Sequence, residues 1–157
     1  MGRKVAIPDP IRHTLLIDIR GVVIQSANMI SIRETLDHGR GVFASAPIRK
    51  GEIIERAPVL VLPDPQWVIL DSTQLRDYHY AWGPDAAAIV LGFGSIYNHS
   101  YTPNAVYVRR IEEKLMEYVA IRDIEMGEEI TVNYNGSPED HSPLWFNSDQ
   151  GQLCRTA

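Results

Sequence analysis

From Ile30 onward the chain is written in short alternating runs punctuated by Gly and Pro, a pattern that builds strands and leaves little room for helices. ISIRET (30–35) and VFAS (42–45) alternate on either side of DHGRG (37–41), which reads as a tight turn with two glycines. RAPVLVLP (56–63) is a strand closed by Pro63. YHYAW (78–82) and AAAIVLG (86–92) read as further strands. In LMEYVAI (115–121), Leu115, Glu117, Val119 and Ile121 share one face, and Met116, Tyr118 and Ala120 the other. EEITVNY (128–134) sets Ile130, Val132 and Tyr134 against Thr131 and Asn133. One turn is used twice: IRKGEII (48–54) and IEMGEEI (124–130) both read Ile-x-x-Gly-Glu-x-Ile, two copies too far apart for a repeat array. The single helical candidate is Pro63 to Tyr78, with Trp67, Leu70 and Leu75 near a helical period and Asp64 able to cap before Pro65. It can break into two short helices at Asp71-Ser72.

A chain of 157 residues suggests one domain, large enough to bury a core without staples. That matters because Cys154 is the only cysteine, which excludes an internal disulfide and a cysteine-cluster zinc site. The sequence has no apolar run of membrane-spanning length, and its start is a poor signal peptide. A cytoplasmic location is therefore expected, with the sequons at Asn98 and Asn135 unused. A net charge of -5 and a pI near 5.5 argue against direct nucleic-acid binding and suit a basic partner. Residues 1–28 read as an extension, with Met29 a candidate natural start; the alternative is an added edge strand, TLLIDI.

YNHSYTPN (97–104) lies between the apolar AAAIVLGFGSI and the strand-like AVYVRRIEEKLMEYVAIRD. Read alone it is a polar loop of turn formers. It is also the second of three pieces in a fixed order, after GRGVFA (39–44) and before GEEITVNY (127–134). Together these resemble the SET domain of protein lysine methyltransferases, over Ile30 to about Phe146. The short form is similar to stand-alone bacterial SET proteins.

The resemblance implies a mainly β SET fold of several small curved sheets, with a short helical insert and a knot-like C-terminal crossing. It implies a SET domain over 29–135 and a tail over 136–157 that replaces the usual zinc-binding segment. The implied cofactor is S-adenosyl-L-methionine, bound by Gly39, Arg40, Gly41, Phe43, Asn98 and His99, with Trp145 or Phe146 covering the adenine. Tyr134 is the implied catalytic residue, and Tyr107, Tyr97 and Tyr80 the walls of a substrate channel. The implied substrate is a lysine-bearing protein or peptide. Val132 stands where some members carry an aromatic that limits methyl number, and Tyr80 and Trp82 come from the insert that helps form the peptide groove.

Blander readings stand beside these. Tyr134, Tyr107, Tyr80 and Trp82 could be core aromatics, and His99 a satisfied internal histidine. No pair among His79, His99 and His141 has metal-ligand spacing, so no metal is expected. Glu128 and Glu129 are strand neighbours that face opposite ways and cannot act as a carboxylate pair. The competing functions are a SET-fold binding module with little turnover and an all-β interaction protein with a coincidental loop.

Overall fold

The computed structural model describes residues 29–35, 39–70 and 72–144; the 1–28 extension and the Trp145–Phe146 pair lie outside the described residues. The strands are β1 (Ile30–Thr35), β2 (Gly39–Ala44), β3 (Ile53–Pro63), β4 (His79–Ala81), β5 (Ala86–Val90), β6 (Asn98–His99), β7 (Ala105–Arg110), β8 (Leu115–Ala120) and β9 (Glu129–Val132). They form two sheets, ordered β1-β2-β9-β6 and β4-β5-β3-β8-β7. The architecture is mainly β, as expected.

Two boundaries differ from expectation. Gly39, Arg40 and Gly41 are not a turn but the start of β2, laddered to Thr35, Glu34 and Arg33 of β1. Pairing with β1 carries the strand through both glycines. β3 begins earlier than its apolar run because it continues out of the Gly51 turn, with a register shift between Ile53 and Glu55.

The two Ile-x-x-Gly-Glu-x-Ile turns face each other. Ile48 and Ile124 exchange both backbone hydrogen bonds, at 2.9 and 2.8 Å. The pattern around them is reciprocal: Gly51 N–H donates to Ala120 C=O, and Gly127 N–H to Ala44 C=O. Both glycines have φ of 87°, a conformation that costs a glycine little. This local pairing joins the two sheets and sets β9 beside β2.

The helical stretch is split, α1 covering Gln66–Leu70 and a 3₁₀ turn Gln74–Tyr78. Thr73 makes the break: its hydroxyl donates to Leu70 C=O and accepts from Leu75 N–H. Leu70 is buried but Leu75 is exposed, so the apparent helical stripe is not one packed face. Among the described residues no helix is long and apolar enough to cross a membrane.

Val42, Ala44, Ile48, Met116, Tyr118, Ala120, Ile124, Ile130 and Val132 form the centre of the core. Asn104 is 1 % exposed and ties the loop before β7 to β9. Its amide donates to Glu129 C=O at 2.8 Å and to Glu128 Oε1 at 3.0 Å, and its oxygen accepts Thr131 N–H at 2.8 Å. Asn104 is thus buried because β9 satisfies it, while Asn98 to Tyr101 are half-buried and Thr102 is exposed. β6 completes the junction, lying parallel to β9 with Asn98 opposite Thr131 and His99 opposite Val132.

Glu128 also accepts from Arg122 and from Glu125 N–H. The Arg122 guanidinium leads in holding its carboxyl below the usual 4.5, at about 2. A depressed folded pKa adds stability that is present above the unfolded value and is lost as pH falls toward 2. Urea midpoints of the wild type should therefore decline between about pH 4.5 and 2 more steeply than those of Glu128→Gln. Parallel curves would remove this role.

Candidate active site

Tyr97, at the entry to β6, and Tyr134, just past β9, meet because β6 and β9 pair in parallel. Tyr134 Oη donates to Tyr97 C=O at 2.8 Å, and Tyr134 N–H donates to His99 Nδ1 at 3.2 Å. Tyr107 Oη donates to Tyr134 C=O at 3.2 Å. Tyr80 packs edge-on against Tyr107 with ring centroids 5.1 Å apart. These four tyrosines, with Asp77, Tyr78, His79, Ala81, Ser95 and Arg109, line a cleft of about 210 Å³. The Ser95 hydroxyl, 3.0 Å from the carbonyls of Tyr78 and Val90, pins the 3₁₀ turn to one wall.

The cleft keeps its phenols protonated. Burial first, then the negative charge around Tyr78, Asp77 and Glu129, pushes Tyr134 up to about 12. Burial likewise raises Tyr80, Tyr97 and Tyr107. Tyr134 gives its proton to the bond with Tyr97 C=O, so toward any further partner its oxygen can only accept.

Behind this wall, Tyr97 stacks on Tyr118 at 4.2 Å and donates to Glu55 Oε2 at 3.1 Å. Glu55 Oε1 accepts Phe93 N–H at 3.0 Å. Burial raises the Glu55 carboxyl against the opposing pull of these two bonds. Tyr118 Oη donates to Gly94 C=O at 2.7 Å and lies 3.2 Å from Tyr80 Oη.

One peptide bond from Tyr97, Asn98 begins a second cluster. Its Nδ2 donates to Glu129 Oε1 at 2.7 Å and to Arg40 C=O at 3.1 Å. Gly41 is buried beside them, and a Cβ there would run into Glu129 Oε1 and approach Asn98 Nδ2 to 2.9 Å. Gly41→Ala must displace one of the pair, and should cost about 1–3 kcal/mol in chemical denaturation, as overpacked sites do. An unchanged midpoint would mean the recess can yield.

The structure therefore brings together most of the residues singled out by sequence: Gly39, Arg40 and Gly41 on β2, Asn98 and His99 on β6, and Tyr80, Tyr97, Tyr107 and Tyr134 at the cleft. Phe43 shares a strand face with Gly41 but carries the Arg33 guanidinium 5.4 Å above its ring. Val132 and Trp82 are buried in the core and do not line the cleft. Glu128 and Glu129 diverge to separate partners, as strand alternation requires. Among the described residues no group of acidic, His or Cys side chains could hold a metal ion.

Sequence reasoning missed Glu55, Tyr118, Asp77, Ser95 and Arg109, and gave Glu129 no partner. Glu55 had a visible signal: it stands in phase with Ala57 and Val59 on the inward face of β3. The others depend on which elements meet, which alternation does not encode.

The SET-domain family model matches residues 39–135. A Schizosaccharomyces pombe histone-lysine N-methyltransferase, H3 lysine-37 specific, is 32% identical over 127 residues, covering 80% of this chain and 82% of that protein. The Drosophila melanogaster histone-lysine N-methyltransferase ash1 is 35% identical over 130 residues, 77% of this chain and 6% of that protein. A crystal structure from Plasmodium falciparum, provisionally described as a histone methyltransferase, superposes with a TM-score of 0.59 at 29% identity, over 77% of this chain and 99% of that one.

Proposed function

The chain belongs to the SET-domain family of lysine methyltransferases, and from that premise we propose that it transfers methyl groups from S-adenosylmethionine to lysine side chains of a protein. The observation that carries this reading is the junction at Tyr134. Its side chain lines the tyrosine-walled cleft, and its hydroxyl donates to the carbonyl of Tyr97, the residue before Asn98 and its cluster with Gly41 and Glu129.

The Asn98–Gly41 cluster and the strand end beside it fit the proposed donor. At Gly39 the space a Cβ would take is open, which allows close backbone approach. Asn98 Oδ1 is an acceptor that no described residue engages, suited to an ammonium. When bound, the donor supplies a methyl carbon made electrophilic by a positively charged sulfur. Gly39, Arg40 and Gly41 would hold it through backbone groups, with Asn98 and His99 beside it.

The cleft would take the lysine. An amine attacks only when neutral, and deprotonating free lysine at pH 7 costs about 4.6 kcal/mol. Walls of protonated tyrosines, Tyr97 and Tyr107 buried and Tyr80 and Tyr134 partly so, disfavour the charged form and lower that cost. Tyr134 Oη would accept from the amine and aim its lone pair toward the donor. It would not serve as a base, because its pKa of about 12 makes the phenolate too scarce. The acidic net charge suits basic protein segments as substrates.

Incubation with tritiated S-adenosylmethionine and basic peptides or a mixed protein extract, followed by acid hydrolysis, should yield labelled methyllysine. Binding of the donor without transfer would replace this reading with that of a binding module.

A further inference from the structure

We infer that Glu129 is a positioning residue for the donor's ammonium group, acting through the amide of Asn98. The inference rests on the proposed S-adenosylmethionine reading of the Asn98–Gly41 cluster. Asn98 presents both amide hydrogens to fixed acceptors, the Glu129 carboxylate at 2.7 Å and the Arg40 carbonyl at 3.1 Å. A flipped amide would set its oxygen against two acceptors, so only one orientation is favourable. That orientation holds Oδ1 away from the pair, where no described residue donates to it.

The fixing is built in from two sides. Glu129 opens β9 and is paired with Phe43, so its backbone is held by the ladder. Its carbonyl accepts Asn104 Nδ2, which ties the same residue to the buried loop. Gly41 then matters as the absence of a side chain: a Cβ would crowd Glu129 Oε1 and force the carboxylate to move. The carboxylate's charge strengthens the bond that orients the amide, as ionised acceptors do.

Calorimetric titration of the full chain with two compounds tests this. S-adenosylhomocysteine carries the ammonium; 5′-methylthioadenosine lacks the amino-acid part. Glu129→Met, which removes the acceptor, should weaken S-adenosylhomocysteine about tenfold, the scale of a lost hydrogen bond to a charged group. It should change methylthioadenosine less than about twofold, and Glu129→Gln, which keeps an uncharged acceptor, should restore part of the loss. In an Asn98→Ala background Glu129→Met should add nothing, because the effect passes through that amide. Equal losses for both compounds, or a full loss persisting without the Asn98 amide, would overturn the role. Wild-type protein binding neither compound would overturn the donor reading itself, and this role with it.

Discussion

Tyr134→Phe is expected to leave the fold and donor affinity in place and to slow methyl transfer by roughly 10²–10³, the usual effect of removing one preorganised polar group at a reacting centre. The ring keeps its packing; what goes is one oxygen. That oxygen donates to Tyr97 C=O and, in the proposed complex, receives the amine. Tyr97 C=O would lose its partner, a modest cost that thermal melting can separate from catalysis. Single-turnover transfer from labelled donor gives the chemical step directly. A rate within a few-fold of wild type would remove Tyr134 from the chemistry. The pH profile adds an independent check. Because burial pushes Tyr134 to about 12, the wild-type rate should rise as the amine loses its proton. It should show no fall near 10, where an ordinary tyrosine would ionise; a levelling there belongs to the amine, since free lysine titrates near 10.4.

The largest stability effect should come from Asn104→Ala. The side chain satisfies Thr131 N–H and Glu129 C=O on β9, and reaches Glu128. Alanine leaves a buried donor and a buried acceptor unpaired, at about 1–3 kcal/mol each. A total near 3 kcal/mol should lower Tm by roughly 6–12 °C in a domain of this size. Asn104→Asp keeps the acceptor for Thr131 but turns a carboxylate toward Glu128 and the Glu129 carbonyl. Its penalty relative to wild type should shrink as pH falls and the introduced carboxylate protonates. A loss below about 1 kcal/mol for alanine would mean that water replaces the side chain, and that the loop is not pinned as described.

What the sequence made legible was local. Alternation put Met116, Tyr118 and Ala120 on one face of β8, which the structure shows to be buried, and the doubled Ile-x-x-Gly-Glu-x-Ile pattern marked two turns of the same conformation. It did not reveal that those turns pair through Ile48 and Ile124, because pairing between distant segments leaves no periodic trace. The DHGRG glycines looked like a turn because glycine signals backbone freedom without saying why it is needed. At Gly41 the reason is close approach by Glu129 and Asn98. The candidate site was legible where a motif carried it, at Tyr97 and Tyr134 in the cleft and at Asn98 and His99 on the adjoining β6. It was not legible at Ser95, Asp77 or Arg109, which reach the cleft only through the packing of the 3₁₀ turn and β7.

A product complex tests the central claim most directly: the crystal structure of this chain with S-adenosylhomocysteine and a methyllysine peptide. The account predicts the adenosyl compound beside Gly41 and Asn98, the methyllysine between Tyr80, Tyr107 and Tyr134, and the new methyl about 3–3.5 Å from sulfur within reach of Tyr134 Oη. Two ligands in separate pockets, with Tyr134 and Tyr97 closed between them or facing elsewhere, would contradict it.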